Sequence, residues 1–345
     1  MIINAGGIFQ GKGAKRTMLK LCIIGCSQFV YDFIYDCTKR FPMKLAAICD
    51  SHTNTAAFTE RYYCPAVYED YMEMLDMEKP DLVISFPAYK AQYEVTRNCL
   101  LAGAHVFSER PICLNTQQAL ELIEIQRQTN RYVMPRLNRR YAPSYVMAKN
   151  TMEKQEFGAP TMYLAKYHAS AYESEEIFIW NHAIHHLDVA RYLLGELKLL
   201  HVERAYVDPR RMGYNISFRS DQGCIGVIQT SSLQYGEYPM ERVEVTGNLR
   251  NVIVDNIRSV QYNRPAPSRV NIASMQFDED GDTLIWNQNF AQLNNFTFYG
   301  FENMFEHFVD CILTHKQPMP HMEDTLKTLE LVERLRELVN QEIEA

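Results

Sequence analysis

Two stretches of this chain bring together side chains able to do chemistry. The first is Trp180–Glu196, WNHAIHHLDVARYLLGE. On a helix His185 and Asp188 are three residues apart and therefore neighbours. Asn181, four before His185, shares their face if the helix starts early enough. Histidine titrates near neutrality unaided, so His185 suits proton transfer, with Asp188 fixing its tautomer. A polar helix start around a hydrogen-bonded histidine accounts for the same residues. His182, His185 and His186 also raise the question of a metal. A catalytic zinc needs three ligands around an open position, and His186 cannot share a face with both of the others, so no metal is expected.

The second stretch is Ser108-Glu109-Arg110-Pro111, which ends the β-rich run Ala104–Phe107. Pro111 bars the helical conformation at Arg110 and sets an extended exit. In an open α/β sheet ligands gather beyond the carboxyl ends of the strands. A rigidly held Glu-Arg pair at such an end is a piece of an active site; a solvated ion pair on a surface turn is the plainer alternative.

Elements must position these stretches, and up to Pro135 they follow a repeating βα pattern. Strands are expected at Leu19–Ile24, Leu45–Cys49, Val67-Tyr68, Leu82–Phe86, Ala104–Phe107 and Arg131–Pro135. Helices are expected at Gln28–Arg40, Thr53–Tyr63, Glu69–Met77, Tyr89–Leu101 and Thr116–Gln128. Asn115 caps the last of these, with Gln118 in the capping-box position. Such alternation signals a parallel, doubly wound α/β sheet, whose right-handed crossovers put Gly25, Asp50, Pro87 and Glu109 along one edge.

Beyond Pro135 the texture changes. A helix is expected at Pro143–Lys154, then strands at Thr161–Ser170, Leu199–Val207, Ile216–Arg219, Ile225–Ser231, Glu241–Thr246 and Asn251–Asp255. Their hairpin-like spacing predicts a mainly antiparallel open sheet, with one helix, Ala183–Leu194, between the first two strands. Apolar stripes at Phe301, Met304, Phe305, Phe308 and Ile312, and at Leu326, Leu329, Val332, Leu335 and Leu338, mark two closing helices. Tyr262–Phe290 fits neither period and receives no assignment.

The bulk properties exclude several classes of function. With 35 basic against 42 acidic residues and a net charge of -7, the chain has no basic surface for nucleic acid or a membrane. No apolar run reaches membrane-spanning length. Nine cysteines at irregular spacing read as buried small hydrophobes in a reducing, cytoplasmic compartment rather than as a disulfide framework.

A dinucleotide turn is expected where Gly25 follows a strand and precedes a helix, although Ser27 and Val30 replace the second and third glycines of the G-x-G-x-x-G fingerprint. Asp50 is the better signal. It closes the second strand, where a carboxylate can accept from the adenosine ribose hydroxyls and would repel the extra phosphate of NADP, which favours NAD(H). A helix cap or turn is its structural alternative. The expected division is a Gly-rich, disordered leader at 1–17, with Met18 a candidate for the true start, a dinucleotide-binding Rossmann domain at 18–135, and an α/β domain for substrate and oligomerisation at 136–345. The closing helices are expected to pack back toward the first domain.

From Met18 onward the sequence resembles the Gfo/Idh/MocA oxidoreductases, the family of glucose–fructose oxidoreductase and inositol dehydrogenase. The resemblance rests on strand–Gly25, strand–Asp50, Pro87 and Ala102-Gly103-x-His105-Val106-x-x-Glu109-Arg110-Pro111. Asn138-Arg139-Arg140-Tyr141, Gly158-Ala159-Pro160 and Asn181-x-Ala183-x-His185-x-x-Asp188 complete it.

The resemblance implies hydride transfer between NAD(P) and a hydroxyl carbon of a sugar or cyclitol, and a homo-oligomer built through the open sheet. It also implies a catalytic Lys, an Asp, and a His four residues after that Asp. Here Arg110 stands for the Lys and Asn181 for the Asp, while His185 is retained. Arginine stays protonated near neutrality, so it can orient and polarise but cannot take the proton, which leaves His185 as the acid/base. The implied cofactor contacts are Gly25, Ser27, Gln28, Asp50, Pro87, Glu109 and Arg110. The expected substrate contacts are Asn138, Arg139, Lys166, His168, Asp188 and Tyr238, with Tyr235 the alternative to the last. Redox-assisted glycoside cleavage or epimerisation, and a cofactor-binding subunit without turnover, are the alternative functions.

Overall fold

The structure is a computed structural model and describes residues 18–27, 30, 38–61, 63–64, 66–236, 240–265, 282–288 and 295–344. The expected leader 1–17 and most of the expected helix Gln28–Arg40 lie outside these residues.

Strands β1 (Leu19–Ile24), β2 (Met43–Cys49), β3 (Ala66–Tyr68), β4 (Leu82–Ser85), β5 (His105–Ser108) and β6 (Val133–Pro135) form a six-stranded sheet in the order β3-β2-β1-β4-β5-β6. Every pairing in it is parallel. Parallel strands must be covered on both faces, and every residue of β4 is accordingly buried. The intervening helices start where short polar side chains meet free amides. Asp70 Oδ1 accepts the Met72 amide at 2.8 Å to begin Tyr71–Glu78. Asn115 Oδ1 accepts the Gln118 amide at 2.9 Å to begin Thr116–Thr129. Gln118 Oε1 answers by accepting from Leu114 at 3.0 Å, one residue further back than a standard capping box.

The second sheet holds β7 (Met162–His168), β8 (Leu197–Asp208), β9 (Arg211–Ser220), β10 (Ile225–Ser231), β11 (Met240–Thr246), β12 (Asn251–Asp255), β13 (Ser259–Asn263) and β14 (Thr283–Asn287). Its order is β14-β13-β12-β11-β7-β10-β9-β8, and it is antiparallel except where β7 meets β10. One face turns Tyr163, Ala165 and Tyr167 into the core; the other leaves Met162, Leu164 and Ile225 57%, 41% and 44% exposed. β13 and β14 fall in the stretch the sequence leaves unassigned. β14 alternates between exposed and half-buried at a sheet edge, so it lacks the strong apolar signal of a covered strand.

The helix expected at Ala183–Leu194 starts earlier. Ser174 caps Glu175–Phe178, which runs through a π-helical turn, Ile179–Ala183, into Ile184–Leu194. Helix Phe301–Thr314 returns to the first sheet, where the Phe305 ring meets Phe107 edge-on at 5.3 Å. No described helix is long and apolar enough to cross a membrane.

Candidate active site

Register decides which residues meet. Ile24 is level with Cys49 and Ser85, Ser85 with Ser108, and Ser108 with Pro135. The next residues, Gly25, Asp50, Phe86, Glu109 and Arg136, therefore form a row at the carboxyl edge. The row is held by further ladder bonds: Gly25 to Cys49 O at 2.9 Å, Phe86 to Ile24 O at 2.7 Å, Glu109 to Ser85 O at 2.9 Å and Arg136 to Ser108 O at 2.9 Å. Neighbouring strands lie ~4.8 Å apart, so side chains on adjacent ends are within bonding reach.

At one end of the row, Gly25 adopts φ +85°, and a Cβ there would sit 2.0 Å from Phe86 O. Only glycine permits both the turn and that approach. Asp50 Oδ2 accepts the Cys26 amide at 2.5 Å and Asn54 Nδ2 at 3.2 Å, while Oδ1 accepts the Ser51 amide at 2.6 Å. A carboxylate offers about four acceptor sites, so Oδ1 keeps capacity for a further donor. Ser27 is exposed, and Gln28 lies outside the described residues. The sheet reverses its order between β1 and β4, the switch point at which a doubly wound sheet opens its ligand crevice. Together with Asp50 this suits a dinucleotide, although the Cys26 amide, held by Asp50, does not point to a phosphate.

At the other end, Arg136 Nε and Nη2 donate to the two Glu109 oxygens, each at 2.6 Å. Glu109 Oε1 also accepts the Arg110 amide at 2.8 Å and Arg110 Nη1 at 3.3 Å. Arg110, whose peptide bond to Pro111 is cis, reaches across to the second half of the chain and donates from Nε to His185 Nε2 at 2.6 Å. An arginine nitrogen only donates, so His185 Nε2 carries the lone pair and the ring is neutral. Burial, with Arg110, Arg139 and Arg136 nearby, pushes His185 well below its usual value. Burial and Arg136 lower Arg110 to about 10 against the opposing pull of Glu109, so it stays charged at neutral pH.

The π-helical turn before His185 leaves Asn181 half-buried, with no side-chain hydrogen bond among the described residues. His182 is core: it stacks on Tyr167 at 3.7 Å, and its ring nitrogens face Tyr167 O at 3.0 Å and Tyr172 OH at 3.1 Å. His186 Nε2 lies 3.4 Å from Glu241 Oε1. Among the described residues no three His, Cys, Asp or Glu side chains converge on a point where they could hold a metal.

Several expected contacts fall elsewhere. Asp188 is hydrogen-bonded elsewhere than to His185: it is buried, accepts Arg140 Nε and Nη2 at 2.8 and 2.6 Å, and takes Thr328 Oγ1 at 3.0 Å. The i,i+3 relation puts the two residues on neighbouring helix positions, but a charged partner from outside the helix outcompetes a neutral ring. Lys166 and His168 are on the wrong face of β7. The strand turns Tyr167 toward His182 and His185, so its two sequence neighbours point to the open face, and His168 bonds Ser231 Oγ at 2.8 Å. Asn138 is buried and donates to Tyr299 O at 2.7 Å. Arg139 is matched by Glu241 at 2.9 Å and donates to Tyr167 OH at 2.9 Å. Tyr238 lies outside the described residues.

The residues that sequence reasoning overlooked are Arg136, Tyr167 and Glu241. Arg136 was recoverable as the first residue after β6, level with Glu109. Tyr167 and Glu241 face each other across β7 and β11. Burial alone would raise the Glu241 carboxyl, but Arg139 overrides it and holds the group well below the usual carboxylate range.

Known proteins resemble this chain in sequence over part of its length and in fold. Residues 19–137 match the oxidoreductase family with an NAD-binding Rossmann fold, GFO_IDH_MocA. An inositol 2-dehydrogenase/D-chiro-inositol 3-dehydrogenase of Lactiplantibacillus plantarum is 25% identical over 191 residues, 53% of this chain and 54% of that protein. A D-glucoside 3-dehydrogenase of Escherichia coli is 34% identical over 128 residues, 36% of each chain. The chain thus spans about half the length, or less, of these relatives. In fold, a dehydrogenase from Chromobacterium violaceum superimposes with a TM-score of 0.81 at 15% identity, over 92% of this chain and 93% of that one. Residues 19–137, which carry Gly25, Asp50 and the Glu109-Arg110-Pro111 turn, are thus similar to the Gfo/Idh/MocA oxidoreductases.

Proposed function

We propose that the protein is an NAD(H)-dependent dehydrogenase that oxidises a hydroxyl carbon of a sugar, cyclitol or related polyol. The observation that carries this reading is the Arg110–His185 contact, which brings an imidazole from the second half of the chain onto the strand-end row of the first. In this reading 18–135 is the cofactor domain and 136–345 the substrate domain. The apolar open face around Met162, Leu164 and Ile225 is where two copies associate.

The nicotinamide, when bound, supplies the acceptor for the hydride that leaves the carbinol carbon. The protein's own groups handle the proton and the charge. His185, neutral at Nε2, accepts the hydroxyl proton. Arg110 and Arg136 set a positive potential over the crevice that stabilises the developing alkoxide, which offsets the weak basicity of a buried imidazole. Asn181 and Tyr167 flank that imidazole without adding charge.

Asp50 makes the cofactor NAD rather than NADP, because a carboxylate at the ribose accepts from two hydroxyls and repels a phosphate. Titration with NADH and NADPH, followed by nicotinamide fluorescence, tests this. Asp50→Ala should weaken NADH by about tenfold, the worth of a charged hydrogen bond, and NADPH less. An unchanged ratio would remove the basis for the choice. A screen of sugars and cyclitols for NADH formation then tests turnover. If NADH binds and nothing in the screen is oxidised, the chain is a cofactor-binding subunit.

A further inference from the structure

We propose that the substrate carries a carboxylate, so that it is a sugar acid or similar polyhydroxy acid oxidised at a hydroxyl close to that group. The proposal rests on the reading above that the crevice oxidises a carbinol, and it narrows that reading to one charge class.

The first observation is charge. Glu109 gives both oxygens to Arg136 at 2.6 Å, and Arg110 shares them only through Nη1 at 3.3 Å. Two further buried arginines are each matched by a carboxylate of their own, Arg139 by Glu241 and Arg140 by Asp188, and those carboxylates raise them above the usual arginine value even though burial opposes it. Arg110 is lowered instead, by burial first and then by Arg136. The groups packed on it do not supply the missing charge. His185 is neutral by the direction of its hydrogen bond, and burial keeps Tyr167 and Tyr172 protonated. A largely buried cation without its own anion gains when a ligand brings one.

The second observation is geometry. Arg110 Nε is occupied by His185, whereas Nη2 makes no hydrogen bond among the described residues. A guanidinium edge presents parallel donors that fit the two oxygens of a carboxylate.

These combine with the chemistry of the base. While Arg110 Nε caps His185 Nε2, that nitrogen cannot take a proton. A neutral hydroxyl accepts from guanidinium more weakly than imidazole does, so a neutral sugar leaves the pair closed. A carboxylate is the stronger acceptor: it draws Arg110 Nε off the imidazole and leaves Nε2 open to the adjacent hydroxyl, with the guanidinium still beside the reacting carbon. One contact thereby selects the substrate and frees the base. Because Nε and Nη2 belong to one guanidinium, hydroxyl and carboxylate must lie within a few atoms of each other.

The test is kcat/KM with NAD⁺ for matched pairs: D-gluconate against D-glucose, methyl glucuronide against methyl glucoside, with glucose 6-phosphate as a differently shaped anion. Acids should exceed their neutral partners by about 10- to 100-fold, the range of a charged hydrogen bond, and Arg110→Gln should collapse that ratio. Because the ratio is internal to each protein, partial loss of folded variant does not affect it. In the NADH complex, titrated acids should change the nicotinamide fluorescence while neutral sugars do not. Neutral sugars turned over equally well, a ratio unchanged in Arg110→Gln, or glucose 6-phosphate preferred over the carboxylates overturns the proposal and leaves the dehydrogenase reading intact. NADH binding with neither class oxidised overturns both.

Discussion

The hydrogen bond from Arg110 to His185 fixes which imidazole nitrogen holds the lone pair, and so which atom can act as base. A lysine in place of Arg110 would bring one flexible ammonium; arginine brings a planar fork that bonds His185 and Glu109 together. His185→Ala should lower kcat by about 10²–10⁴, the usual contribution of a positioned acid/base, while the affinity for NADH stays within a few-fold. Equal loss of both would show that the ring belongs to the cofactor pocket. The acid limb of kcat/KM should also lie below the ordinary histidine value of about 6.5, because burial and the nearby arginines hold His185 down. At this scale the sequence was informative: Glu109, Arg110, His185 and Asp50 are each recognisable from residue type and element boundary. The partners were not, because the acceptor of a buried donor is chosen by strands and helices distant in sequence.

Secondary elements explain which predictions of the site failed. β7 reads Met-Tyr-Leu-Ala-Lys-Tyr-His, with apolar or aromatic residues at both parities, so the strand does not say which face meets the core. Pairing with β11 decides it, by setting Tyr167 opposite Glu241 and Lys166 opposite Arg242. Asp188 fails for a different reason. Helical spacing correctly makes it a neighbour of His185, but Arg140, from the turn after β6, arrives with two donors and takes both its oxygens. Asp188 therefore works as a structural clamp between that turn, its own helix and Thr328 of the last helix. Asp188→Leu should cost about 3–5 kcal/mol in denaturant unfolding, since it strands a buried guanidinium. The loss should fall toward the lower end, because Arg140 keeps Asp324 at 2.8 Å. NADH affinity should hold; if it falls while stability does not, Asp188 belongs to the site after all.

At the scale of the whole molecule, burial holds several histidines neutral, and that makes stability depend on pH. Burial lowers His105 to about 4 and His182 to about 3, and His185 also falls well below its usual value. Each ring has structural work as a neutral group: His105 Nδ1 accepts the Tyr132 amide at 3.0 Å, His182 stacks on Tyr167, and His185 receives Arg110. Unfolded, all three titrate near 6.5. Below that pH the unfolded chain binds up to three protons at these positions that the folded chain refuses, and His168 and His307, also lowered by burial, add in the same direction, so stability falls as pH falls. The contribution is complete above about 6.5 and disappears progressively toward the folded values near 4 and 3. Three such groups amount to about 4 kcal/mol lost between pH 8 and pH 5.5, a large share of the ~5–15 kcal/mol that holds a typical domain together. Glu241, held low by Arg139 against its burial, extends the loss below its unfolded value near 4.5. Urea midpoints at pH 8, 6.5 and 5.5 measure the slope directly. His105→Gln, remote from the crevice, should make it shallower. A flat profile would mean that the rings take up protons in place, and His185 would then be an ordinary surface-like base rather than one held neutral by its arginine.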